Sequence, residues 1–231
     1  KSEEVALCKA VCEAIERIFC IEKRIPSTGL AGHLSLEQAR EEAEKEFIER
    51  ATLARHFSSK IQFQTIAEKP VQISLMGNAL AGCVHQFHLA APNGLHVALV
   101  LYEAITAQMP FGGVLGLGCE SNFESALKKA EIEALRSVAA LDKVPITSLS
   151  YDEFQAITSR RGEHRKRLLM NPDYCRNLLE RIRSFSNPAN HGAIEELLFD
   201  DLGQPANLPK GCPLYFIRCY NKQGLDESPL E

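Results

Sequence analysis

The sequence predicts an α+β fold, and three observations carry that prediction. Residues 2–20, 34–57 and 123–141 hold apolar side chains at helical spacing. Residues 71–76, 83–90 and 95–104 are rich in β-formers and separated only by short turn signals. The resulting order, α, α, βββ, α, α, β, groups strands apart from helices, as α+β domains do. Three strands joined this closely form an antiparallel meander, against which the helices pack.

Taken in order, the first helix has Val5, Leu7, Cys8, Val11, Cys12, Ile15 and Phe19 on its apolar positions, and Glu3 and Glu4 suit its N-terminus. "RIPSTGLAGHLS", with Pro26, Gly29 and Gly32, reads as a loop. Ser35 is the expected N-cap of the second helix, with Gln38 three residues on in a capping-box pattern. "MGNALAG" and "APNG" are the turn signals of the meander. "FGGVLGLGCESN" reads as a glycine-rich turn into the third helix; it lacks the G-K-[ST] ending of a phosphate loop. "YDEFQAITSRRGEHRKRLLM" and "PDYCRNLLERIRSF" read as helices separated by Pro172. The proline-rich stretch 187–213 reads as loop around a short helix at 192–199, and "PLYFIRCY" as a late strand. The expectation is a single domain over 1–231. Lys1 opens directly inside a helical pattern, so that domain is expected to lack an N-terminal portion.

Bulk composition narrows the function. The chain has 231 residues, 45% hydrophobic and 24% charged, with a formal net charge of −4. That is a soluble globular composition with no general attraction for nucleic acid or an anionic membrane surface. No apolar run approaches the roughly 20 residues that span a bilayer. The eight cysteines form no C-x-x-C, which points to free thiols in a reducing, cytoplasmic setting. Cys8 and Cys12 share a helix face, where burial outweighs a metal role. His85 and His88 fall on opposite faces of a strand and make a poor metal pair. The basic cluster 159–167 could face phosphates, as in an RNA-associated protein, but a solvated helix face is the simpler reading.

One pattern stands out. Ala6, Ala10, Glu13, Ile15, Glu16 and Arg17 of the first helix map onto Ala39, Ala43, Glu46, Ile48, Glu49 and Arg50 of the second at a constant offset of 33. The third helix repeats it loosely with Ala126, Ala130, Glu133 and Arg136. Glutamates at i and i+3 share a face, here one that borders the alanine stripe. Four carboxylates converging from two helices would repel and raise one another's pKa. A Mg2+ ion, which takes oxygen ligands together with substrate phosphates, relieves that repulsion. The metal-ligand candidates are therefore Glu13, Glu16, Glu46 and Glu49, with Arg17 and Arg50 placed to meet phosphate oxygens. A solvated face with weak ion pairs is the competing reading of the same pattern.

The stretch "STGLAGHLSLEQAREEAEKEFIER" resembles the YcaO family, which carries a loop close to S-N-G-x-A-x-G followed by a helix of the form A-x-x-x-A-x-x-E-x-x-E-R. The spacing agrees without a gap from Thr28 to Arg50. "SEEVALCKAVCEAIER" is similar to the family's earlier helix and "GLGCESNFESALKKAEIEALRSV" to its later one. "PLYFIRC" and "GLDESPLE" resemble its closing strand and tail. The resemblance implies ATP and Mg2+ as cofactors and phosphorylation of a peptide or protein backbone amide. An azoline or a thioamide then forms, as in a cyclodehydratase or a thioamide-forming enzyme. It implies Glu13, Glu16, Glu46 and Glu49 as metal ligands, with Glu46 and Glu49 at the centre of catalysis. Arg17, Thr28, Arg50 and Arg136 are implied as nucleotide contacts, Arg136 standing in for an arginine expected at Val138. It further implies a peptide or protein substrate and a partner protein that supplies substrate recognition or sulfur. Dimers are common in that family, so a homodimer is allowed, though nothing in the residues demands one. Thr28 stands where the family has asparagine, Ala51 where it often has aspartate and Val138 where it has arginine. These departures keep open a second function, a catalytically decayed scaffold that binds a peptide or a partner enzyme.

Overall fold

The computed structural model describes residues 3–23, 25, 27–75, 78–105, 112–141, 147–158, 162–189, 196–203 and 214–221. The chain divides into two compact units, one of Lys1–Ala51 with Gly192–Glu227, the other of Thr52–His191 with Ser228–Glu231.

The first unit is a small sheet between two helices. Helix α1 spans Glu3–Lys23, strand β1 Leu30–His33 and helix α2 Leu36–Ser58, whose last residues belong to the other unit. The strands that complete the sheet come from the far end of the chain: β6 is Leu198–Asp201 and β7 is Tyr215–Tyr220, in the order β1-β7-β6, all antiparallel. Pleat alternation sorts the side chains. Leu30 and Phe216 join Cys12, Ile15 and Phe19 of α1 in one core, with the Phe19 and Phe216 rings 5.0 Å apart. Ala31, Ile217 and Cys219 face the other way and meet Ala39, Ala43 and Phe47 of α2. The alanine stripe read from the sequence thus lets α2 lie close to the sheet. Gly29 is equally constrained. Its φ is 73°, and a Cβ there would come 2.2 Å from the Cys219 carbonyl oxygen. Only glycine accepts both the left-handed conformation and that approach.

The second unit is the meander. Strands β2 (Gln64–Leu75), β3 (Asn78–Ala90), β4 (His96–Ala104) and β5 (Gly113–Glu120) pair in sequence order, antiparallel throughout. Helix α3 (Phe123–Leu141) covers one face, with Ala126, Ala130 and Ala134 against Val84, Ala98 and Val100. Leu53 and Phe57 of α2 lie on the other face with Leu178 and Ile182 of α6 (Pro172–Ser184), around a small crevice with no polar lining group. Asn171 caps α6, accepting from the Asp173 and Tyr174 amides at 3.0 and 3.1 Å, and Pro172 follows where its missing N–H costs nothing.

Several expectations change. "LAGH" is a strand, not loop, because β7 pairs with it. "GVLGLGCE" is strand β5, not a turn: Gly116 and Gly118 face α3, where a Cβ would lie 2.1 Å from the Ala130 oxygen and 2.2 Å from the Ala126 oxygen. The close approach was legible; its setting in a strand was not. Strand β2 begins at Gln64, through Glu68, Lys69 and Pro70, residues that only a solvent-facing edge strand tolerates. Strand β3 begins inside the expected turn "MGNALAG", of which Met76 and Gly77 lie outside the described residues. Strand β6 begins at Leu198, inside the helix expected at 192–199; residues 190–195 lie outside the described residues. The long helix expected from Tyr151 is two, α4 (Tyr151–Gln155) and α5 (Gly162–Leu169), and residues 159–161 of the basic cluster lie outside the described residues.

Candidate functional site

The candidate site of the first unit forms around β1, which among the described residues is an edge strand with no neighbour on its outer side. On α1, Glu16 turns toward this edge, and the Gly32 amide donates to its Oε1 at 2.7 Å. The same carboxyl is pushed up to about 7, chiefly by burial and further by the neighbouring Glu13; the Gly32 bond and Arg17 pull the other way. Burial dominates because one hydrogen bond does not replace the water that the edge excludes. One turn on, the Cys20 thiol is pushed up by its own burial, then by the charges of Glu16 and Glu46, while Arg17 and Arg218 act against them. Glu46, on α2, is within electrostatic reach of the same thiol. Gly29, beside Thr28, packs near the Cβ of Phe47, the next residue of α2. Helices on opposite faces of the sheet thus each place one carboxylate within electrostatic reach of Cys20.

The predicted residues separate as follows. Glu16 and Glu46 act on a common neighbour, Cys20. Glu49 is buried, only 4% exposed, and lies 3.6 Å from the Arg50 guanidinium. Glu13 and Arg17 bond to each other at 2.9 Å on the exposed face of α1. Thr28 occupies the turn before β1 and is partly buried. Arg136 is exposed on α3, in the second unit. Of the departures from the family pattern, Ala51 packs against the core of the first unit and Val138 is buried in the second. Glu133, which the repeat sets beside Glu13 and Glu46, accepts from the Leu117 amide of edge strand β5 at 2.8 Å. Its role parallels that of Glu16, so the repeat carries an architectural device as well as a candidate site.

Sequence reasoning missed three residues here. Cys20 was one thiol among eight. Lys45 is buried on α2, paired with Glu41 at 2.8 Å and 3.6 Å from Glu42; its i,i+4 spacing from Glu41 was the only signal. Arg218 had no local signal, because its place depends on β7 pairing with β1.

Among the described residues, no three His, Cys, Asp or Glu side chains are grouped to hold a metal. The donor chemistry nevertheless suits Mg2+. Carboxylates are hard oxygen ligands, and a cation beside Glu16 would favour the ionised form that burial disfavours. Outside this site, His85 lies between Glu103 at 3.0 Å and Glu68 at 3.4 Å, while His88 contacts His96 at 3.2 Å, on separate faces of β3 as expected. Arg167 of the basic cluster donates to Thr147 at 2.9 and 3.1 Å, an intramolecular use of that charge. No helix among the described residues is long and apolar enough to cross a membrane.

Solved structures share this fold. A chain of the Escherichia coli microcin synthetase McbBCD complex with pro-MccB17 bound is similar with a TM-score of 0.57 and 17% identity, over 84% of this chain and 53% of that one. The structure of YcaO from Methanopyrus kandleri bound with AMPPCP and Mg2+ is similar with a TM-score of 0.54 and 14% identity, over 90% of this chain and 58% of that one. This chain thus spans a little over half the length of either. No curated protein matches it. The family described as YcaO cyclodehydratase, ATP- and Mg2+-binding, matches residues 23–207, which include the loop and α2 motif, while Glu13, Glu16, Arg17 and Arg218 lie outside the match. The match covers most of the sequence and both units, and the chain belongs to the YcaO family.

Proposed function

We propose that this chain carries out ATP- and Mg2+-dependent activation of a peptide or protein backbone amide, leading to an azoline or a thioamide. The observation that supports this reading is the gap-free motif from Thr28 to Arg50, with Glu16 and Glu46 both within electrostatic reach of Cys20 and Glu49 buried on α2. When bound, Mg–ATP supplies the phosphoryl group that makes the amide oxygen a leaving group. The chain's part is positioning and charge neutralisation. Glu46 and Glu49 would hold the metal, joined by Glu16 once it gives up its proton. Arg50 neutralises charge beside Glu49. Glu13 and Arg17 can join only by giving up their mutual bond, a small loss for so exposed a pair.

Isothermal titration of the full-length protein with Mg–ATP tests the reading, and saturable binding below millimolar nucleotide is expected. Absence of binding at millimolar nucleotide would remove it. Glu46→Gln should abolish ADP release with a peptide substrate; unchanged turnover would take Glu46 out of the mechanism. The second reading, a decayed scaffold that binds a peptide or partner enzyme, draws on Thr28, on Ala51 and Val138 packed into cores, and on the Glu13–Arg17 pair facing solvent. It predicts peptide or partner capture in pull-downs without nucleotide binding.

A further inference from the structure

Among the described residues, Arg218 is a partly buried cation without a counter-ion. It sits on β7 opposite Leu30 of β1, two residues along that strand from Gly32, whose amide holds Glu16. Its neighbour across on β6 is Asp200, yet the two form no ion pair among the described residues; Asp200 instead accepts from the Tyr220 hydroxyl at 3.2 Å. The guanidinium carbon lies 5.2 Å from the centre of the Tyr220 ring, and Nε is buried with no hydrogen-bond partner. A buried donor left unmade is costly, more so on a charged group. The side chain is also close enough to Cys20 for its charge to oppose those of Glu16 and Glu46 there. Cys20 thus lies within electrostatic reach of the cation and of both carboxylates, and among the described residues no carboxylate pairs with the cation.

We propose that Arg218 is a further anion-binding residue of the first unit's site, contacting a phosphate of the bound nucleotide. This rests on the nucleotide reading above. The argument is one of charge and shape. Glu16 and Glu46 would repel a triphosphate, and a divalent ion offsets only part of that. A guanidinium on the same strand pair as Gly32, 5.2 Å from the Tyr220 ring centre, has the planar fork whose bidentate geometry suits phosphate oxygens. Tyr220, by binding Asp200, keeps the nearest acid from closing on the arginine.

The test compares Mg–ATP binding by calorimetry in the full-length wild type, R218K and R218Q, each checked by circular dichroism. R218Q should bind about ten- to a hundredfold more weakly, the scale of one charge-assisted contact, with a smaller loss in R218K, which keeps the charge but not the fork. Affinity in R218Q should also fall less steeply with added salt than in the wild type, a change that loss of packing alone would not cause. Wild-type affinity and salt dependence in R218Q would overturn this inference while leaving the nucleotide site standing. Failure of the wild type to bind would overturn both. If R218Q does not fold, R218M, which keeps the aliphatic stem against Tyr220, takes its place with the same two outcomes.

Discussion

At the scale of single residues, Glu16 joins structure to function most directly. Its folded pKa, about 7, lies above the ordinary 4.5. A raised carboxyl favours the folded state fully below pH 4.5, and that contribution is lost as pH rises through 7. At pH 8 the ionised carboxylate therefore costs the folded protein about 3 kcal/mol. Glu16→Gln keeps an oxygen for the Gly32 amide and removes the charge. It should raise the urea midpoint at pH 8 and leave it unchanged near pH 4.5; equal midpoints at both pH values would show that Glu16 is not perturbed. This glutamate was legible in the sequence as half of E-x-x-E-R, but its environment was not. Glu13 and Glu16 are three residues apart, and one is solvated while the other is buried against a strand amide. Spacing specifies a helix face, and only the neighbouring strand decides which end of that face is covered.

At the scale of elements, the contact between α3 and β5 gives the clearest prediction. Gly116 and Gly118 let the strand lie against the Ala126–Ala130–Ala134 stripe. Gly116→Ala would force a methyl group against the Ala130 carbonyl and should cost about 1–3 kcal/mol, read as a lower urea midpoint with an unchanged slope. Wild-type stability there would mean that the helix stands off the strand. On the same pair of elements, Glu133→Ala strips the Leu117 amide of its acceptor and should cost about 1–3 kcal/mol, with Glu133→Gln milder. The sequence supported the helix here and misread the strand. Helical periodicity and caps involve residues within a turn or two of each other, so α2, α3 and α6 were readable. Strands β1 and β5 carry glycine where local propensity disfavours a strand, and long-range packing overrides that preference.

At the scale of the whole molecule, the two units carry opposite pH liabilities. His56, fully buried against Phe63 in the second unit, is pushed down to about 4 by burial, so its contribution is present above pH 6.5 and lost as pH falls through 4. Glu16 in the first unit loses its contribution in the other direction. Stability should therefore be greatest between about pH 4.5 and 6.5. Glu16→Gln should flatten the alkaline side and His56→Leu the acid side, with additive effects in the double variant. Non-additivity above about 0.5 kcal/mol would show that the two residues are coupled. By itself the sequence determined helices α1, α2, α3 and α6, the first three strands of the meander, the spacing of the acidic motif and the resemblance to the YcaO family, because periodicity, caps and motif spacing are relations between near neighbours. Only the tertiary structure decided that α1 and α2 lie on opposite faces of a sheet closed by the chain's far end. The same pairing made Glu16 the cap of strand β1 and left Arg218, among the described residues, a cation without its acid. Burial, protonation and charge pairing depend on which distant segments exclude water from a side chain, and no local pattern encodes that.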